Sequence, residues 1–122
     1  MTIMTSDAFA REWAQAWNRR DLEALLACYA EDVEFRSPLA AKLLGEPSGR
    51  VRGKTNLRGY FAKALAAFPG DLGLELLGVY QGVDSVVVHF QVRGRRGAEM
   101  MEMNDEGVVR RALAHTQAAQ QG

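Results

Sequence analysis

An α+β fold is what the 122-residue sequence predicts, on three observations. Apolar side chains recur at helical spacing in three stretches before Pro69, the period falls to two in a run of stretches after it, and only short breaks separate those later stretches. Three helices segregated on one face of a strongly curved antiparallel or mixed sheet enclose a cone-shaped, apolar pocket. A doubly wound parallel sheet is disfavoured, because helices and strands do not alternate in the second half. The outer sheet face then needs polar side chains or a partner, so the same reading implies a homodimer through that face.

The first helix spans residues 6–18: Phe9, Trp13, Ala16 and Trp17 share one face, with Ser6 or Asp7 available as N-cap. Asn18, Arg19 and Arg20 break that stripe, Asp21 caps again, and Leu22, Leu25, Leu26 and Tyr29 form a second short helix at a tight corner. From Asp32 the period is two, Val33, Phe35 and Ser37 alternating with Glu34 and Arg36 until Pro38 ends the strand. Residues 39–53 hold Gly45, Pro47, Ser48, Gly49 and Gly53 and read as a loop able to act as a lid, with one helical turn at most over residues 39–44. The third helix carries Leu57, Tyr60, Phe61, Ala64, Leu65 and Phe68 on one face and stops at Pro69-Gly70. Antiparallel strands follow over residues 72–80, 85–93, 98–103 and 108–116, and residues 117–122 are expected to fray. The whole, residues 1–122, is one domain with its core over about 7–116.

Fifteen Lys and Arg balance fifteen Asp and Glu, and a pI near 6.7 leaves no charge excess to hold nucleic acid or an anionic membrane. With 48% hydrophobic and 25% charged residues the composition is that of a globular domain. Cys28 has no partner for an internal disulfide, which fits a reducing, cytoplasmic compartment. His89 and His115 stand 26 residues apart and no cluster has metal-ligand spacing, so neither metal nor cofactor is expected. No apolar run nears the roughly 18 residues of a membrane span, and residues 1–6 lack the pattern of a signal peptide.

Several of these stretches resemble one known group. Residues 16–26 (AWNRRDLEALL), residues 29–35 (YAEDVEF), Arg52-Gly53-Lys54 opening the third helix and residues 105–109 (DEGVV) together resemble the SnoaL-like branch of the nuclear transport factor 2-like superfamily. The likeness runs from about residue 7 to residue 116 and implies the cone-shaped fold. It leaves activity open, since the superfamily holds ketosteroid isomerases, polyketide cyclases, epoxide hydrolases and dehydratases beside non-catalytic binding and transport proteins. Where the isomerases carry their aspartate base, just before the proline that ends the first strand, this chain has Ser37, which cannot replace it. Their oxyanion-binding tyrosine on the first helix falls at Trp13, whose indole N–H donates but is a poor proton source. Their protonated carboxylic acid corresponds most nearly to Glu99.

Extending the inward phase of Val33, Phe35 and Ser37 to the later strands selects Val86, Val88 and Phe90, then Glu99, Met101 and Met103, and then Arg110, Ala112, Ala114 and Thr116. A shift of one residue in the last strand would instead bring in Arg111, Leu113 and His115. Glu99 in such a wall gains a raised pKa by desolvation and becomes the acid or base; the alternative is a solvated place at the hairpin mouth. Arg110 lies across a turn from Glu99 and is the candidate for an acid and arginine cluster of the kind the epoxide hydrolases of this fold use, against an ordinary surface role. Tyr60 can direct its hydroxyl inward, and Trp13, Trp17, Tyr29 and Phe61 can wall a site for a flat or cyclic ligand, unless they are simply core. His89 faces the outer sheet surface, Cys28 reads as a buried small hydrophobe, and Arg93, Arg95 and Arg96 read as a solvated hairpin tip.

The expected function is binding of a small hydrophobic or aromatic molecule by Trp13, Trp17, Tyr29, Phe35, Ser37, Phe61, Val88, Phe90, Met101 and Met103. If catalytic, it would be a cofactor-free isomerase, cyclase or epoxide hydrolase with Glu99 transferring the proton and Tyr60 or Trp13 donating a hydrogen bond. The alternative is a non-catalytic binding or dimerisation module whose pocket is filled by its own Met and aromatic side chains.

Overall fold

The computed structural model describes residues 4–118. Helix α1 (Ser6–Asn18) is capped by Thr5, whose hydroxyl accepts the Ala8 N–H at 3.2 Å, one residue earlier than the Ser6 or Asp7 the sequence suggests. Helix α2 (Leu22–Leu26) is capped by Asp21 as expected, but Tyr29 does not extend it. Tyr29 opens strand β1 (Tyr29–Arg36) three residues ahead of Asp32, because pairing across the sheet outweighs an apolar spacing that is also helical.

The stretch read as a loop contains two elements. Ser37 caps helix α3 (Pro38–Leu44) by accepting the Leu39 and Ala40 N–H groups, Pro38 takes the first helical turn, and Gly45 ends it at φ +65°. Strand β2 (Arg50–Arg52) then returns antiparallel to β1. Gly49 is required there, since a Cβ would sit 2.4 Å from the Ser37 carbonyl oxygen. Helix α4 (Lys54–Ala67) buries Leu57, Tyr60, Phe61, Ala64 and Leu65 as its spacing predicts, so the described residues form four helices where three were expected.

Strands β3 (Glu75–Gln81), β4 (Ser85–Val92), β5 (Arg95–Met103) and β6 (Val109–Thr116) complete one six-stranded sheet in the order β2-β1-β6-β5-β4-β3. Only β1 and β6 run parallel; every other pair is antiparallel, giving the mixed, curved sheet of an α+β cone. The turn from β4 to β5 is Arg93-Gly94 alone, both at positive φ, and Val92 pairs with Arg95. Strand β5 therefore begins three residues before the expected Ala98, which draws Arg95 into the sheet.

A second departure decides one site residue. Pairing of β5 with β6 keeps Glu99 opposite Ala114 and Met101 opposite Ala112, but a bulge between Glu102 and Met103 sets Met103 against Val109. The extra residue resets the alternation, so Val109 and Ala112 are both fully buried while Arg110 and Arg111 are both exposed. The helices close over the concave face around a core that includes Trp13, Tyr29, Phe61, Leu25, Leu26 and Met101. The corner after α1 is clasped to the sheet: Asn18 exchanges two hydrogen bonds with the Leu74 backbone, and the Arg20 guanidinium donates to the carbonyls of Leu65, Phe68 and Gly70.

Candidate functional site

Between α1, α3, α4 and the concave face lies a cavity of about 720 Å³. Trp13, Trp17, Phe35, Phe61 and Phe90 supply its aromatic walls, several of them edge-to-face, as Trp13 with Phe90 at 5.5 Å and Trp17 with Phe61 at 5.0 Å. Ser37, Tyr60 and Glu99 are the buried polar side chains in its lining.

Glu99 is only 5% exposed, on the inner face of β5. Its Oε2 accepts the Tyr29 hydroxyl at 3.1 Å, and the same hydroxyl oxygen accepts the Trp13 indole N–H at 3.1 Å. Three residues from α1, β1 and β5 thus form one directed chain, Trp13 to Tyr29 to Glu99. Among the described residues none bonds Glu99 Oε1 and no fully buried side-chain oxygen lacks a partner, so Oε1 is the oxygen turned to the cavity space. Burial pushes the Glu99 carboxyl up to about 7, the Tyr29 hydrogen bond holding it partly back. Burial, and then the charge on Glu99, hold the Tyr29 hydroxyl well above its usual range, so it stays a donor.

A second polar pair lies on the same wall. Tyr60 OH and Ser37 Oγ are 3.4 Å apart, and burial pushes the Tyr60 hydroxyl up to about 12. Ser37 is held in place because its Oγ also caps α3. At neutral pH this arrangement offers a carboxyl present in both protonation states and a phenol that remains protonated.

The structure brings eight of the sequence-derived candidates to the cavity: Trp13, Trp17, Phe35, Ser37, Tyr60, Phe61, Phe90 and Glu99. Tyr29 stands behind Glu99 and touches it rather than the cavity. Val88 and Met101 are core, and Met103 is half-buried beside the bulge. Arg110 is corrected: the bulge turns it outward, where it pairs with Glu102. Unforeseen lining residues include Leu39 and Lys42 on α3, within the expected loop, and Arg95 on β5, expected at a solvated hairpin tip. Their signals were present as Ser37-Pro38, a cap followed by a helix-starting proline, and as Arg93-Gly94, a two-residue hairpin turn. Cys28 is half-buried with its thiol pushed up to about 11 by burial, and among the described residues no group of three or more His, Cys, Asp or Glu could hold a metal ion.

A curved mixed sheet closed by helices over an apolar cavity is the architecture of nuclear transport factor 2-like domains. The sequence profile of the SnoaL-like domain matches residues 10–119, and the chain belongs to that family. A SnoaL-like protein of unknown function from Burkholderia thailandensis is 40% identical, with a TM-score of 0.87 over 93% of this chain and 94% of that one. An NTF2-like protein of unknown function from Burkholderia pseudomallei shares the fold at 18% identity, with a TM-score of 0.77 over 93% of this chain and 92% of that one. A hypothetical protein with a ketosteroid isomerase-like fold from Catenulispora acidiphila, solved in complex with trimethylamine, does so at 16% identity and a TM-score of 0.69, over 91% of this chain and 86% of that one. No curated protein gives a significant sequence match.

Proposed function

We propose that the cavity binds a small hydrophobic or aromatic molecule and that Glu99 exchanges a proton with it, without a cofactor. The observation that carries this reading is a buried carboxyl pinned through Oε2 by Tyr29, with its other oxygen turned to an apolar cavity. As carboxylate it removes a proton from carbon beside a carbonyl, and as acid it returns the proton, while the Tyr60 hydroxyl donates to the developing oxyanion. Isomerisation or cyclisation of a carbonyl compound suits a single acid of this kind. Epoxide opening by an acid and arginine cluster does not, since Arg110 lies on the outer face.

The test is proton exchange into a flat aromatic ketone. With 2-tetralone in deuterated buffer, followed by proton NMR, exchange at the α-carbon is expected to rise with pH through about 7 and to fall about 100-fold or more in Glu99→Gln. Equal rates in the two proteins sink the catalytic reading. Binding without exchange would then leave the second reading, a non-catalytic binding module, which Ser37 in place of the isomerases' aspartate favours.

We also propose a homodimer through the outer sheet face. Tyr80, Val87, Met100 and Leu113 pair in register across β3, β4, β5 and β6 and make an apolar row there. Sedimentation velocity should give a dimer that Met100→Glu splits; a monomeric wild-type protein ends that proposal.

A further inference from the structure

The two ends of the cavity differ in charge. Its depth holds one carboxyl, Glu99, which burial keeps largely neutral near pH 6. Its opening is lined by the exposed residues Lys42, Arg95, Arg96, His115 and Gln117, and among the described residues Glu99 is the sole Asp or Glu in the lining. In a chain of zero net charge that separation is not a reflection of composition.

Two of the cations face inward by their place in the fold. Lys42 follows Leu39 by one helical turn on α3, and both line the cavity. Arg95 shares the inward phase of Gly97 and Glu99 on β5. Neither Lys42 nor Arg95 takes part in an ion pair among the described residues, whereas Arg52, Lys54, Arg58, Arg110 and Arg111 all do. These cations are therefore available to a ligand, and the space of about 720 Å³ with its aromatic walls has the volume for an apolar body of about ten carbons.

Resting on the reading of the cavity as a small-molecule site, we infer that its ligand is an amphipathic carboxylate. The apolar body lies against Trp13, Trp17 and Phe90, and the anionic head pairs with Lys42 and Arg95 at the opening, opposite Glu99. A ligand held this way presents its far end to the carboxyl, so the head group sets which carbon is reached.

The test compares probes with one body and two heads: decanoate with decanol, and 1-naphthaleneacetate with 2-(1-naphthyl)ethanol, by calorimetry at pH 6 and low salt. Each carboxylate is expected to bind roughly tenfold tighter than its alcohol, and the preference to disappear in the double variant Lys42→Gln/Arg95→Gln while alcohol binding is unchanged. Glu99→Gln should leave the preference intact. Equal binding of acid and alcohol by the wild-type protein overturns the inference while leaving the cavity as a binding site. A preference that survives in the double variant but is lost in Glu99→Gln also overturns it, since the head would then sit at the depth. Failure of all four probes to bind overturns the cavity reading itself.

Discussion

Glu99 and Glu102 stand three residues apart on one strand, and that odd offset puts them on opposite faces of the sheet. Glu99 meets aromatic rings and a single phenol, and burial raises its pKa to about 7. Glu102 meets guanidinium groups, bonded to Arg110 and 3.9 Å from Arg111. The same side chain is a buried carboxyl held by one phenol on the concave face and a clasp between β5 and β6 on the convex one. Chemistry in this fold follows from which face a position occupies: Arg111 is paired with Glu102 in regular register, and the bulge after Glu102 turns Arg110 to the same side, away from Glu99.

The sharpest way to break that contrast is pH. The folded protein keeps the Glu99 proton up to about 7, whereas an unperturbed glutamate loses it near 4.5. The stability this confers is fully present below pH 4.5 and is lost as pH rises through about 7. The loss amounts to about 3 kcal/mol, and urea unfolding across that range should show it in the wild-type protein and not in Glu99→Gln. A wild-type profile that matches the variant's would put Glu99 in water. Next in size is Tyr29→Phe, which strips the acceptor from Trp13 and the donor from Glu99 and should cost about 1–3 kcal/mol. Because the Tyr29 hydrogen bond holds the Glu99 value down, the same variant should titrate at higher pH by carboxyl-carbon NMR; an unchanged titration would remove Tyr29 from the site. Smallest is Glu102→Gln, under about 1 kcal/mol and shrinking with added salt, as exposed ion pairs do. A larger, salt-independent loss would make the convex face as consequential as the concave one.

Much of the concave face was legible from alternation. Val86, Val88, Glu99 and Met101 keep a strict period of two, and the structure buries all four. Arg110 broke the same rule because a bulge is a property of two strands, invisible in either alone. Tyr29 continued a helical stripe convincingly, and only its pairing with Val109, distant in sequence, makes it a strand residue. The polar chain from Trp13 through Tyr29 to Glu99 joins residues 16 and 70 positions apart, beyond any local pattern. Helix α3 was hidden by the Gly- and Pro-rich residues around it, although Ser37-Pro38 marks its start.

The parallel pairing of β1 with β6 has a consequence for how the protein comes to fold. Strand β6 lies in the interior of the sheet, between β1 and β5, and is made some eighty residues after β1 begins. A nascent chain that has not reached Val109 leaves β1 with an unpaired edge and the β3-β4-β5 meander detached from it. Tyr29 and Glu99 belong to those two separate pieces, so the acid has no donor until the insertion is made. Closing so long a loop is entropically slow, and the cavity should be among the last features to form during refolding.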